Sequence, residues 1–137
     1  MANAWYNKLV DDWVAGTGPD WVSADWRVVL IDLGQYTFSQ SHQYLSDITA
    51  GARIATSGAL QNKTLSGGIF DADDITIIGV AGLTVEAFAI YQHTGTAGTS
   101  KLGMFFDSGV GVSFTPNSGD VTIQWPSTTN KIAKLGS

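Results

Sequence analysis

Short runs of apolar residues, separated by segments rich in Gly, Thr, Ser and Asn, dominate this chain. Branched and aromatic side chains suit a pleated, half-buried strand, whereas glycine supplies the positive φ that tight turns need. Three such runs follow one another at residues 70–78, 85–93 and 101–106, and each joint between them contains two glycines. The pattern predicts three consecutive β-strands in the middle of the core.

Other parts of the chain extend this strand pattern. Residues 26–32 are apolar at almost every position, which is typical of a central strand buried on both faces. Weaker strand patterns follow at residues 53–56, 59–65, 112–114, 121–125 and 132–135. Roughly eight short strands, with turn signals about every 8–12 residues, are typical of a two-sheet arrangement. We therefore predict a mainly β, single-domain antiparallel β-sandwich, jelly-roll-like, formed by residues 26–135.

One short helix is predicted before the strands. Residues 3–15 carry apolar side chains at helical spacing, with Trp5, Leu9 and Trp13 on one side of the wheel and charged residues on the other. Asn3 is the predicted N-cap and Gly16 the predicted stop. The apolar face of this amphipathic helix can pack on the chain's own sheet or dock into a neighbouring subunit, and aromatic anchors suit both.

Residues 35–52, which we call the crossover segment, break the strand pattern. The segment is polar, irregular and too long for a hairpin turn. Ser41 is positioned to cap a short helical turn that contains Leu45 and Ile48. The crossover segment is therefore predicted to be a connection between distant strands or a functional loop.

Composition restricts the class of protein further. The chain has 137 residues, 44% hydrophobic, which is enough to bury a core in one domain. The net charge is −5 and the few basic residues are dispersed, so binding to nucleic acid or to an anionic membrane is not expected. Cysteine is absent, no signal-peptide pattern opens the chain, and no apolar stretch reaches the roughly 18 residues of a membrane helix. We expect synthesis in the cytosol.

Residues that could carry chemistry are few. The single glutamate, Glu86, and the two histidines, His42 and His93, lie far apart in sequence, and no Gly-x-Ser-x-Gly motif marks a nucleophile. We therefore predict no catalytic residue, no enzyme activity and no cofactor. Aspartates crowd one segment, residues 71–74, and carboxylates at alternating positions suit a hard cation. A solvated turn explains this segment better, so Asp71, Asp73 and Asp74 are only weak calcium candidates.

A carbohydrate-binding module is an alternative from a different class. Five tryptophans in an acidic β-rich chain could offer platforms on which sugar rings stack. Most of them fall within the predicted helix or strands, and Trp21 is the one in a predicted loop. This position favours a core or contact role for most of the tryptophans.

Several segments, taken in order, resemble a family of small virion structural proteins of tailed bacteriophages. The resemblance covers about residues 3–135 and depends on the collinear set, since none of its members is a chemical motif. The segments are the aromatic N-terminal helix and residues 27–32, 36–39, 42–48, 52–58, 68–76, 94–96 and 115–120, followed by Trp125. His93 departs from the family pattern, in which an acidic residue often stands before the Thr-Gly-Thr turn.

This resemblance implies a non-enzymatic particle component located in the virion and made in the host bacterial cytoplasm. A capsid decoration, or cement, protein that binds the major capsid protein is the first expectation, and a tail, collar or fibre-associated protein is the alternative. Either role implies contacts with other virion proteins and a homo-oligomer. The residues predicted to lie at a protein interface are Trp5, Leu9, Trp13, Trp21, Tyr36, Phe38 and Tyr44.

Overall fold

The computed structural model describes residues 4–66, 69–82, 84–107, 114–123, 125 and 133–134. Its elements in chain order are β1 (Ala4–Trp5), α1 (Asn7–Val14), β2 (Trp26–Ile31), β3 (Arg53–Thr56), β4 (Thr64–Ser66), β5 (Ile69–Asp71), β6 (Ile75–Ile77), β7 (Ala87–Gln92), β8 (Leu102–Phe106), β9 (Val121–Ile123) and β10 (Ala133–Lys134). The strands pair antiparallel in three sheets, of order β1-β8-β7-β2-β3, β10-β5-β4 and β6-β9. A mainly β, antiparallel architecture is therefore confirmed.

Strand β2 supplies side chains to both faces of the five-stranded sheet, because successive residues of a strand point in opposite directions. Trp26, Val28 and Leu30 belong to one apolar cluster, whereas Val29 and Ile31 belong to another. All five side chains are at most 1% exposed. The prediction of a strand buried on both faces is confirmed.

Different segments cover the two faces of this sheet. On the first face, Leu9 from α1 and Phe70 from β5 join the cluster that contains Trp26. On the second face, Tyr36, Leu45 and Ile48 of the crossover segment pack in the other cluster. The crossover segment is therefore a cover for the sheet.

Local hydrogen bonds shape the crossover segment differently from the prediction. Two 3₁₀ turns, at Leu45–Asp47 and Ala50–Ala52, take the place of one short helical turn. The carboxylate of Asp47 accepts the backbone N–H groups of Gln43 and Tyr44, at 2.8 and 3.1 Å. Ser41 instead bonds to Ser39 and caps nothing. A carboxylate at the last residue of the turn, rather than a hydroxyl before the turn, therefore accepts these N–H groups.

Helix α1 is shorter than predicted. Trp5 was expected in the helix, but Ala4 and Trp5 form β1 and pair with β8, and Tyr6 is extended at φ −83° and ψ 135°. A start at residue 3 is therefore wrong, because pairing with a distant strand outweighs the local helical pattern. The end agrees with the prediction, since Gly16 follows the helix with φ 81° and its N–H bonds to the carbonyl of Trp13.

The predicted strand at residues 70–78 is wrong as a single element. It consists of β5 and β6, which lie in different sheets. Between them, Asp73 accepts a hydrogen bond from Asn62 at 2.6 Å, and Asp74 accepts the backbone N–H of Trp125 at 2.9 Å. These bonds hold the chain in a turn, so it leaves one sheet and enters the next.

Most of the other predicted strands are confirmed, although several are shorter than predicted and one begins later in the chain. Residues 53–56 form β3, whereas β7, β8 and β9 lie within residues 85–93, 101–106 and 121–125. The expected strand at 59–65 begins only at Thr64, as β4. Within the predicted strand at 132–135, Ala133 and Lys134 form β10. Of the prediction at 112–114, Phe114 forms an isolated bridge with Val85, and residues 112–113 lie outside the described residues. Across the described ranges, no helix is long and apolar enough to cross a membrane.

Candidate functional site

The residues considered for catalysis are dispersed over the fold. His42 hydrogen-bonds through Nδ1 to the hydroxyl of Tyr36 at 2.7 Å. His93 lies at the end of β7, where its backbone N–H donates to the carbonyl of Asp25 at 2.7 Å. Glu86 precedes β7 at another part of the sheet. Within the described residues, no group of three or more His, Asp or Glu side chains is placed to hold a metal ion.

The three calcium candidates do not converge on one point. Asp71 belongs to β5, where it pairs with Thr64. The carboxylates of Asp73 and Asp74 accept hydrogen bonds from Asn62 and Trp125, as described above. The carbonyl of Asp73 also accepts the indole N–H of Trp125 at 3.0 Å. This geometry matches the solvated turn that the sequence favoured, with local donors bound to the carboxylates.

The seven predicted interface residues divide by exposure. Three are almost fully buried inside the chain: Leu9, Trp21 and Tyr36. Four keep partial exposure: Trp5, Trp13, Phe38 and Tyr44. Burial leaves the first three little surface for a partner, whereas an interface role for the other four stays a prediction. The apolar face of α1 packs on the chain's own sheet, which is one of the two interpretations that the sequence left open.

Two tyrosines and a histidine form a hydrogen-bonded chain under the crossover segment. The hydroxyls of Tyr6 and Tyr36 lie 3.1 Å apart, and Tyr36 continues to His42. Burial is the main cause that raises the pKa of Tyr6 and also that of Tyr36. Phe38 stacks on Phe105 beside them, with ring centroids 4.3 Å apart. Tyr36 and Phe38 therefore pack against the sheet inside the chain.

Aromatic rings on the opposite face of the sheet form a second cluster, which we call the tryptophan cluster: Trp5, Trp13, Trp21, Trp26 and Phe70. Trp13 stacks on Phe70 with centroids 5.5 Å apart and an interplanar angle of 18°. Trp5 meets Trp13 edge-on, and Trp21 contacts both Trp26 and Phe70. Because these ring faces contact one another, a sugar ring finds less open aromatic surface here than the tryptophan count suggested.

An open groove lies over the tryptophan cluster, between the end of α1 and strand β4. We call it the α1–β4 groove, and its volume is about 420 Å³. Its lining residues are Trp13, Gly18, Pro19, Asp20, Trp21, Leu65 and Phe70. Leu65 is 46% exposed and lies beside the aromatic lining of the groove. The groove is therefore the candidate binding site.

The groove wall at Trp13 is held in a fixed orientation. The indole N–H of Trp13 donates to the carbonyl of Pro19. Gly18 permits this arrangement, because a Cβ at that position would lie 2.1 Å from Cδ1 of Trp13. On the other side, the indole N–H of Trp21 donates to the carbonyl of Thr64 in β4 at 2.9 Å. These bonds keep the two walls in place.

Asp12 ties helix α1, and therefore the groove, to the sheet. Its carboxylate pairs with Lys101 at 2.7 Å, next to β8, and with Lys8 at 3.0 Å within the helix. Its backbone carbonyl accepts the N–H groups of Thr17 and Gly18, at 2.8 and 3.0 Å. The side chain thus joins the helix to β8, while the backbone sets the turn that enters the groove.

Stability is expected to fall in acid because of carboxylates such as Asp12. Hydrogen bonds from Lys101 and then Lys8 lower the pKa of Asp12 from its ordinary 3.8. A group with a lowered folded pKa stabilises fully above the unfolded value, and this contribution is lost as pH falls through the folded pKa. Urea unfolding below pH 4 should therefore show a falling midpoint.

A matched pair of variants tests this prediction. Asp12→Asn should make the urea midpoint less dependent on acid pH, because one of the carboxylates whose pKa is lowered in the folded state is removed. Asp11→Asn, at an exposed neighbouring position on the same helix, is the control and should keep the wild-type slope. An Asp12→Asn profile as steep as that of the wild type would contradict the assignment.

Sequence reasoning identified Trp13 and Trp21 but missed the groove that they line. Leu65 and Phe70 were interpreted as strand residues, and Gly16 was interpreted only as the end of the helix. The unusual signal was the order Gly16-Thr17-Gly18-Pro19-Asp20 directly after the helix.

A scan against protein-family models found no matching family, and a search of the curated proteins found no match.

Proposed function

We propose that this protein is a non-enzymatic structural component of a tailed-bacteriophage virion, and specifically a capsid decoration protein that binds and stabilises the major capsid shell. The sequence resemblance described above supports the virion role. The observation that carries the proposal is the α1–β4 groove, a concave site of about 420 Å³ with Trp13, Leu65 and Phe70 in its lining. Apolar grooves with polar rims are typical of association sites.

A decoration protein stabilises a shell by burying additional protein surface in its contacts, and it catalyses no reaction. Stable protein contacts typically bury about 1,200–2,000 Å² in total, more than the groove alone supplies. Repeated copies on a symmetric shell convert contacts that are weak one by one into strong attachment. The groove would then be the centre of a larger contact, surrounded by polar residues of α1 and β4.

The sandwich architecture belongs to the same proposal. The five-stranded sheet is covered on one face by α1 and by residues of β5 and β6, which gives two β layers over part of the core. We propose that this layering is a partial, jelly-roll-like sandwich, compact enough to sit repeatedly on a shell. The virion is the proposed location of the mature protein, after synthesis in the bacterial cytoplasm.

Copy number distinguishes decoration from the alternative role in the tail, collar or fibre. Quantitative mass spectrometry of purified virions, with the major capsid protein as internal reference, should find on the order of hundreds of copies per particle. A count between about six and a few dozen would instead support a tail or neck location, because those structures have low rotational symmetry. Absence from the purified particle would overturn the virion proposal itself.

A further inference from the structure

We propose that the α1–β4 groove binds an extended peptide segment in which a bulky apolar side chain stands next to a lysine or arginine. The chemistry of this ligand follows from the groove. Its source, a subunit of the capsid shell, rests on the proposed function. The two can therefore fail separately, and the experiments below are designed to tell them apart.

The size and lining of the groove suit an inserted side chain. Binding pockets typically measure about 300–1,000 Å³ and are lined mainly by apolar and aromatic groups. The α1–β4 groove falls near the lower end of that range, with Trp13, Trp21 and Phe70 as its aromatic lining. Trp21 and Phe70 are at most 2% exposed, so they offer a floor rather than free ring faces. An aliphatic or aromatic side chain fits such a floor better than a sugar ring does.

The charge of the groove selects the residue next to that side chain. Of the seven lining residues that the structure describes, Asp20 alone carries a charge. Its Oδ2 accepts both the N–H and the hydroxyl of Ser23 at 2.8 Å, which holds the carboxylate in place. These bonds lower the pKa of Asp20, with a smaller contribution from Lys63. The side chain of Lys63 itself donates to the carbonyl of Leu60 at 3.2 Å.

Electrostatic complementarity then favours a basic partner. The carboxylate of Asp20 stays ionised at neutral pH, and the whole chain carries a net charge of −5. An approaching lysine or arginine is attracted by both, whereas a glutamate is repelled. The groove therefore discriminates between ligands that share the apolar residue and differ in the charge beside it.

The shape of the rim favours an extended backbone. Strand β4 is the last strand of its sheet, and within the described residues no strand pairs with it on the side away from β5. All three residues of β4 are exposed. Extended peptides commonly lie along such a sheet edge and place alternate side chains in neighbouring pockets. Leu65 stands at the centre of this edge and lines the groove.

Three blocked dipeptides test the chemistry without any virion. Acetyl-Leu-Lys-amide, acetyl-Leu-Glu-amide and acetyl-Gly-Lys-amide would each be titrated into ¹⁵N-labelled protein. The first should shift the indole N–H signals of Trp13 and Trp21 and the amide of Leu65, with saturation in the millimolar range expected of so small a ligand. The other two should bind at least about fivefold more weakly, because one carries the wrong charge and one lacks the apolar group.

Matched variants locate the binding. Leu65→Ser should abolish the shifts produced by acetyl-Leu-Lys-amide, whereas Ile78→Ser, at an 81% exposed apolar residue outside the groove, should leave them unchanged. Asp20→Asn should bring the affinities for the Lys and Glu dipeptides to within about twofold of each other. An asparagine oxygen can still accept from Ser23, so this change preserves the local turn.

The possible outcomes separate the two proposals. Equal binding of the Lys and Glu dipeptides, or shifts that survive Leu65→Ser, would overturn the peptide inference and leave the decoration role standing. Dipeptide binding as expected, together with a low copy number in virions, would support the groove chemistry and overturn decoration. Shifts caused by maltose or chitobiose but by no dipeptide would replace the peptide with a carbohydrate ligand.

Discussion

Replacing Trp13 by alanine is expected to lower the free energy of unfolding by about 3 kcal/mol. The indole stacks on Phe70 and contacts Trp5 and Trp26, so its removal leaves a cavity under helix α1. The hydrogen bond from its N–H to the carbonyl of Pro19 is lost as well. Urea unfolding followed by far-UV circular dichroism would measure the change directly.

A neighbouring position on α1 gives the control for this experiment. Val14 is 85% exposed, and Val14→Ala should change stability by no more than about 0.5 kcal/mol. A loss below about 1 kcal/mol for Trp13→Ala would mean that the helix contributes little to the core. The expected result also bears on the proposed binding to a particle, because a destabilised Trp13 variant would lose any such binding for reasons unrelated to the contact surface. Leu65→Ser is the better probe of the proposed contact surface.

Gly103→Ala is the second change expected to have a large effect, about 1–3 kcal/mol, and Gly103→Val should prevent stable folding. A Cβ at this position would meet Cδ2 of Leu9 at 3.0 Å, the carbonyl of Ile90 at 3.1 Å and the ring of Trp26 at 3.3 Å. Two of these atoms belong to well-packed side chains and one to the backbone of β7, so none can move freely. Thermal unfolding of the alanine and valine variants would establish the size of the effect.

Gly103 also lies at a local irregularity of the sheet. Ile90 pairs with Met104 and Tyr91 pairs with Leu102, so Gly103 is the extra residue of a β-bulge. Gly98→Ala is the matched control, since nothing lies within 4 Å of a Cβ there, and its stability should stay within about 0.5 kcal/mol of the wild type. Equal effects at the two glycines would contradict the proposed close packing of α1 against β8.

The long apolar strands were the most predictable part of the fold. Strands β2, β7 and β8 each combine branched and aromatic residues in runs of five or six, and all three were expected close to their observed positions. Their signal is strong because each is buried on both faces. The short strands at the edges of the small sheets gave weaker patterns, and their bounds shifted accordingly.

Trp5 shows why the remaining elements were harder to predict. On a helical wheel it falls beside Leu9 and Trp13, and the local pattern alone favours a helix. Its backbone instead pairs with Met104, a residue almost one hundred positions away in sequence. Pairing between residues so far apart in sequence produces no pattern in the neighbouring residues, whereas a helix produces a recognisable spacing of apolar residues.

The candidate site was harder still, because the α1–β4 groove is assembled from separate parts of the chain. Trp13 comes from α1, Asp20 and Trp21 from the following turn, and Leu65 and Phe70 from two paired strands. Each of these residues had an adequate local explanation as helix, loop or strand. The packing of the β10-β5-β4 sheet against α1 brings these residues together. No pattern in the sequence predicts how that sheet is positioned on the helix.

The chain of hydroxyls under the crossover segment has a consequence for the imidazole at its end. The hydroxyls of Tyr6 and Tyr36 and Nδ1 of His42 form one line of hydrogen bonds, so the direction of one bond fixes the direction of the other. If Tyr6 donates to Tyr36, then Tyr36 donates to Nδ1 and a neutral His42 carries its proton on Nε2; if His42 donates from Nδ1, then Tyr36 donates to Tyr6. The tautomer of a partly exposed ring is thereby coupled to a buried hydroxyl, and ¹⁵N shifts of the two imidazole nitrogens would report which direction holds.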